Sequence, residues 1–140
     1  MKKLLFTLLI SLGLMSTAAV AADKKSIFVN VTSSDHIKAP MAIMFANKGL
    51  QRGLDMTIFL NTEGVRLAVK GFNPPANAHN GKNTHEMLAM FVKNGGKLLV
   101  CPMCLKAQGY NKSELIPEAV VSDANKTFGG ILSNDKVISF

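Results

Sequence analysis

The sequence predicts an α/β fold with three layers, α/β/α, around a mainly parallel sheet of about five strands. Two observations carry that expectation. Short runs rich in Val, Ile, Leu and Phe alternate with stretches whose apolar residues recur at helical spacing, the order that builds a parallel sheet through helical crossovers. The short runs are also apolar on both of their alternating faces, as strands covered by helices on each side must be. No internal repeat or low-complexity segment interrupts this order.

Taken in order, Ser26-Ile27-Phe28-Val29-Asn30-Val31-Thr32 is a first strand, because β-branched and aromatic residues fill it. The polar loop Ser33-Ser34-Asp35-His36 follows. Pro40 in a first turn, with Met41, Met44, Phe45 and Leu50 behind it, predicts a helix to Arg52, and Gly53 suits its C-cap. A second strand covers Asp55 to Asn61, with Thr62-Glu63-Gly64 just past its carboxyl end. Val65 to Val69 fits a short helix or a strand extension. The Pro74-Pro75 pair, the asparagines and Gly81 make 72–82 a loop. Thr84 to Lys93 is a helix ended by Asn94-Gly95-Gly96. Lys97-Leu98-Leu99-Val100 is a short strand that runs into Cys101-Pro102-Met103-Cys104, a helix start with Pro102 near its first position and Gly109 as its stop. Lys112 to Ile116 is a single helical turn. Ala119-Val120-Val121 is a fourth strand, Ser122 or Asp123 caps a helix to Leu132, and Lys136 to Phe140 is the last strand.

Ahead of this domain stand Met1-Lys2-Lys3, an apolar run from Leu4 to Met15, and small residues from Ser16 to Ala22. A basic start, an apolar core and a small-residue cleavage site are the three parts of a secretory signal peptide. Its apolar core is short of the ~20 residues that a membrane span takes. Residues 1–22 are therefore expected to be cleaved after Ala21 or Ala22, leaving 23–140 as one periplasmic domain with no membrane anchor. Cleavage after Ala21 leaves 119 of the 140 residues, enough for one core. Of 16 basic residues Lys2 and Lys3 leave with the leader, so 14 face 9 acidic ones and the net charge falls from +7 to +5. The basic residues are scattered and aromatic partners are few, which argues against nucleic-acid binding.

The two cysteines, Cys101 and Cys104, are too few and too close for a disulfide scaffold. Ligands of open parallel sheets bind beyond the carboxyl ends of the strands. Three features fall there: the Ser33–His36 loop, the Thr62-Glu63-Gly64 turn, and Cys101. Cys101 also opens a helix, whose free N–H groups and partial positive charge stabilise a thiolate, the nucleophilic form. Cys104 lies one turn on, deeper in the helix, and is expected to be the more covered thiol. Such a pair can close a disulfide, share a metal or let the second thiol resolve the first. Glu63 is a candidate to orient or deprotonate a thiol. His36, His79 and His85 read as surface histidines, and Met41, Met44, Met87, Met90 and Met103 as helix core. Asn30, Asn61 and Asn111 are candidates to trim a polar pocket.

Four segments give the chain a resemblance to a known family. They are Ile58-Phe59-Leu60-Asn61-Thr62-Glu63-Gly64-Val65; the helix 84–93 with Gly95-Gly96 and Leu98-Leu99-Val100-Cys101; Cys101 with Gly109 eight positions later; and Val120-Val121 with Lys136-Val137-Ile138-Ser139-Phe140. In this order they resemble the DsrE/DsrF-like sulfur-relay family over nearly all of the mature domain. The resemblance implies a three-layer α/β fold and a cysteine, here Cys101, that carries sulfane sulfur as a persulfide. It also implies sulfur donor and acceptor partners, proteins or small sulfane-sulfur compounds, and assembly into trimers or hexamers. Cys104 has no counterpart that is general to the family. No cofactor is expected.

Two other functions fit the pair. One is a soft-metal module in which Cys101 and Cys104 hold Cu(I) or Zn(II), completed by Met103, Met87 or His85. The other is a thiol–disulfide oxidoreductase. It ranks third because the pair lies about two-thirds along the chain, with Pro117 13 residues past Cys104.

Overall fold

The structure, a computed structural model, describes residues 24–140 apart from 73, 75 and 78. The proposed leader, 1–22, lies outside the described residues. Five strands form one sheet: β1 (Ser26–Val31), β2 (Asp55–Leu60), β3 (Lys97–Val100), β4 (Val120–Val121) and β5 (Lys136–Ser139). Their order is β4-β3-β2-β1-β5, and every pairing is parallel. Four α-helices connect them: α1 (Lys38–Gln51), α2 (Thr84–Lys93), α3 (Pro102–Ala107) and α4 (Ala124–Ser133). The expected α/β class and five-strand sheet are thus the observed ones, with the sheet wholly parallel.

Several boundaries differ, each for a local reason. Helix α1 begins two residues before Pro40 because the Asp35 carboxylate accepts the N–H groups of Ile37 and Lys38, both at 2.9 Å. The ambiguous stretch after β2 is a 3₁₀ helix, Thr62–Ala68, rather than a strand extension. Helix α2 begins at Thr84 as expected, but its cap is Asn83. The Asn83 side chain accepts from the Glu86 N–H at 2.9 Å while the Glu86 carboxylate accepts from the Asn83 N–H at 2.7 Å.

The chain steps from β1 through β2 and β3 to β4 in one direction, then returns to place β5 on the far side of β1. Right-handed crossovers put the first three connections on one face of the sheet and α4 on the other. The packing agrees. Gly49 of α1 lies against Met56, whereas Gly130 of α4 lies against Phe28, which points the opposite way. The core sits mainly in the thicker layer. There Val29, Val31, Ile58, Leu60 and Val100 meet Ile43 of α1 and Leu88 and Phe91 of α2, all fully buried. Small residues of α1, Ala39, Ala42 and Ala46, let it lie close to the strands. Helix α4 buries none of its residues, and Phe128 and Leu132 are exposed on it. Among the described residues no helix is long and apolar enough to cross a membrane.

Candidate functional site

The return of the chain after β4 decides where a ligand can enter. The connection leaving β3 goes to one face and the connection leaving β4 goes to the other, so a crevice opens between their carboxyl ends. Cys101 is the residue that follows β3. Ser122, which follows β4, donates its N–H to Val100 O at 2.8 Å and so stands beside Cys101 at the same level of the sheet. On the other side Cys101 N–H donates to Leu60 O at 2.9 Å, which ties it to the end of β2.

Cys101 is the N-cap of α3 and Pro102 occupies the first turn, as the spacing predicted. The Cys104 N–H donates to Cys101 Sγ at 3.3 Å. This cap aims a helix-terminal amide at the sulfur. The helix ends at Ala107, and Gly109 takes φ +81°, a left-handed conformation that glycine adopts without strain. Both thiols are free.

The exposure of the pair is the reverse of the expectation: Cys101 is buried, at 8 % exposure, and Cys104 is half-buried. Cys101 is covered because it continues an interior strand and is walled on both sides by strand ends, whereas Cys104, in the first turn of a six-residue helix, packs against the core and the Thr62 turn with part of its surface open. The Cys104 thiol is nevertheless held above its ordinary pKa. Burial is the main cause, followed by its hydrogen bond to the Cys101 sulfur, while the backbone N–H of Thr62 pulls the other way.

The 3₁₀ helix that begins at Thr62 packs against α3. Thr62 has φ +45°, the only positive φ at a non-glycine among the described residues. For a β-branched residue this is strained, and its hydroxyl, which donates to Thr32 O, helps to hold it. Two residues on, Gly64 N–H donates to Thr32 O at 3.3 Å, and a Cβ at Gly64 would lie 2.2 Å from Val31 O. Glycine is required there by close approach of two backbones. Glu63, between them, is exposed and makes no hydrogen bond or ion pair among the described residues. The structure therefore brings Cys101, Cys104 and the Thr62 turn together, and leaves Glu63 on the rim.

Of the candidate polar residues, Asn61 donates to the Asn30 side chain and Asn30 donates to Ser139 Oγ at 3.2 Å, a chain across the carboxyl ends of β2, β1 and β5. Asn111 is not part of it; it caps the single turn Lys112–Glu114. His36 and His79 are exposed and His85 is half-buried. Met41 and Met103 are not core, being 56 % and 79 % exposed; Met41 lies on the outer side of α1 and Met103 at the tip of α3. The Thr62 turn stands at the strand ends as expected, whereas Ser122, expected only as a helix cap, also stands beside Cys101. For Ser122 the signal is its position, since it follows β4 as Cys101 follows β3. Among the described residues no group of three or more His, Cys, Asp or Glu is gathered, so a metal held by the two thiolates would need other ligands.

Residues 24–140 match the DsrE/DsrF-like family. The chain belongs to that family. Membership connects it with sulfur-relay chemistry in general terms. It is 30 % identical to the uncharacterized protein MJ0989 of Methanocaldococcus jannaschii over 103 residues, covering 74 % of this chain and 87 % of that protein. It is 29 % identical to the uncharacterized protein MK0008 of Methanopyrus kandleri over the same length, 74 % of this chain and 82 % of that one. The crystal structure of the YchN protein from E. coli shares the fold, with a TM-score of 0.67 at 22 % identity, over 84 % of this chain and 99 % of that one.

Proposed function

We propose that this DsrE/DsrF-like protein is an exported sulfur carrier in which Cys101 accepts sulfane sulfur and Cys104 resolves it. The Cys101 thiolate attacks the outer sulfur of a donor persulfide, expels the donor thiolate and becomes a persulfide. An acceptor thiolate then takes the terminal sulfur and restores Cys101. With no acceptor, Cys104 loses its proton to solvent and attacks Cys101 Sγ. That forms the Cys101–Cys104 disulfide and releases hydrosulfide: the sulfane sulfur is reduced by two electrons and the two thiols are oxidised. An external thiol reductant regenerates the pair.

The observation that supports these roles is the Cys104 N–H donated to Cys101 Sγ at 3.3 Å, at the crevice between β3 and β4. The raised Cys104 thiol agrees with it, because a resolving thiol must stay protonated while the first one reacts. Glu63 fits a different part, as an exposed carboxylate at the rim that a donor or acceptor meets on approach. Export rests on the leader-like residues 1–22, and N-terminal sequencing of periplasmic protein is expected to begin at Ala22 or Asp23. Intact-mass spectrometry tests the chemistry. The parent protein gains the mass of one sulfur after exposure to a sulfane donor, Cys101→Ser gains nothing, and Cys104→Ser gains the sulfur but releases it more slowly. Uptake that persists in Cys101→Ser and vanishes in Cys104→Ser reverses the roles; uptake unchanged in both removes the reading.

A further inference from the structure

The groove between α1 and α2 holds a second group of soft ligands, away from the cysteines and independent of the sulfur-carrier reading. We infer that it binds a soft monovalent metal ion, Cu(I) in class, through the thioethers of Met44, Met87 and Met90 and the imidazole of His79. All four line one cavity of about 250 Å³. Met87 and Met90 are three residues apart on α2 and so share a face, and Met44 approaches from α1.

The sulfur atoms of the two helices face a common turn. Asn77 Nδ2 lies 3.6 Å from Met44 Sδ, and Asn80 Nδ2 lies 3.9 Å from Met87 Sδ. His79 sits between these two asparagines in the chain, and its backbone N–H donates to Asn77 Oδ1 at 2.8 Å, which fixes the turn that carries the imidazole. A thioether is a weak hydrogen-bond acceptor, so amide donors at these distances hold it loosely and give way to a metal. Beneath the groove Asn47, 5 % exposed, clamps the helices by donating to Ile43 O at 3.0 Å and Met87 O at 3.3 Å. Its Oδ1 is buried with no partner among the described residues, a polar atom that the packing leaves free beside the cavity.

The ligand chemistry selects the ion. Thioethers and imidazole suit Cu(I), whereas Mg(II) and Ca(II) need the oxygen ligands that carboxylates supply, and no Asp or Glu lines the cavity. Lys48 and Lys82 also line it, with the Lys48 ammonium turned to Gln51 Oε1 at 3.1 Å. Their positive charge opposes a divalent ion more than a monovalent one.

The test uses the full chain carrying Cys101→Ser and Cys104→Ser, so that no thiolate competes. Cu(I) is titrated under ascorbate against a chromophoric Cu(I) chelator. The double-serine chain is expected to retain one Cu(I), and adding Met44→Leu and Met90→Leu, both half-buried and of conserved volume, is expected to abolish retention with the fold intact by circular dichroism. Methyl-labelled methionine NMR with Ag(I), a redox-inert ion of the same charge, gives a readout that does not depend on those variants. The signals of Met44, Met87 and Met90 shift and those of the exposed Met41 and Met103 stay. No Cu(I) retained by the double-serine chain, retention unchanged by the leucine substitutions, or shifts at Met41 and Met103 equal to those at Met44, Met87 and Met90 each overturns the assignment.

Discussion

Gly64→Ala isolates the contact that seats the Thr62 turn on the sheet. The added Cβ would stand 2.2 Å from Val31 O, 3.0 Å from Val31 C and 3.5 Å from Thr32 C. All three atoms are backbone at the end of the interior strand β1, so no side-chain rotation relieves the clash. The turn must move out by about an ångström to reach ordinary contact. That movement breaks the Thr62 hydroxyl bond to Thr32 O and lengthens the 3.3 Å contact of Gly64 N–H with the same oxygen, while Gly64 N–H keeps Asn61 O at 2.8 Å, and it draws Thr62 away from Cys104. Overpacking of this kind costs roughly 1–3 kcal/mol, and loss of the hydrogen bond adds about 1 kcal/mol. The sum, about 2–4 kcal/mol, corresponds to a fall in Tm on the order of 10 °C for a domain of this size. Urea unfolding read by circular dichroism measures it, with Gly71→Ala as the control, because a Cβ at Gly71 meets nothing within 4 Å. A Gly64→Ala protein within about 0.5 kcal/mol of the parent, the range of an ordinary surface substitution, would falsify the close-approach argument.

Three further outcomes follow from the same geometry. The Cys104 thiol titrates above its ordinary value, so its neutral form is favoured in the fold; the stability this contributes is present at lower pH and is lost as pH rises through the folded-state pKa. Alkylation of Cys104 in the parent protein across pH, followed by peptide mass spectrometry so that it is read apart from Cys101, locates that titration, and a midpoint at or below the ordinary thiol value contradicts it. Asn83→Ala removes one half of the α2 capping box and is expected to lower stability by about 0.5–2 kcal/mol in urea unfolding; no change would mean that Thr84 caps the helix unaided. Exposed Val120, Phe128, Leu132 and Val137 give the α4 side a large apolar area, and self-association through it is expected. Light scattering of the parent and of Phe128→Asp reads this, and a monomer at all concentrations rejects it.

Much of this protein is legible in its sequence because much of it is local. Val29, Ile58 and Leu98 sit in short runs that can only be strands buried on both faces. Asn94-Gly95-Gly96 and Gly109 end helices by backbone conformation alone, and a Cys-Pro pair directly after a strand places a sulfur on a helix N-terminus wherever that strand lies. What the sequence did not disclose depends on contacts between distant segments. Nothing near Asp35 announces that its carboxylate takes two helix N–H groups, so α1 was read from Pro40. Helical periodicity marks Met41 and Met103 as core, yet only the packed layers show which apolar residues find a neighbour. The relative burial of Cys101 and Cys104 was read from depth in the helix, and the walls of β2 and β4 reversed it. The decisive step is the placement of β5 beside β1 rather than beside β4. Strand order is a choice among pairings far apart in the chain, and residues 136–139 would pair as well with either edge by composition. That single choice sends α4 to the opposite face, so that the connections leaving β3 and β4 part on either side of the sheet where Cys101 stands.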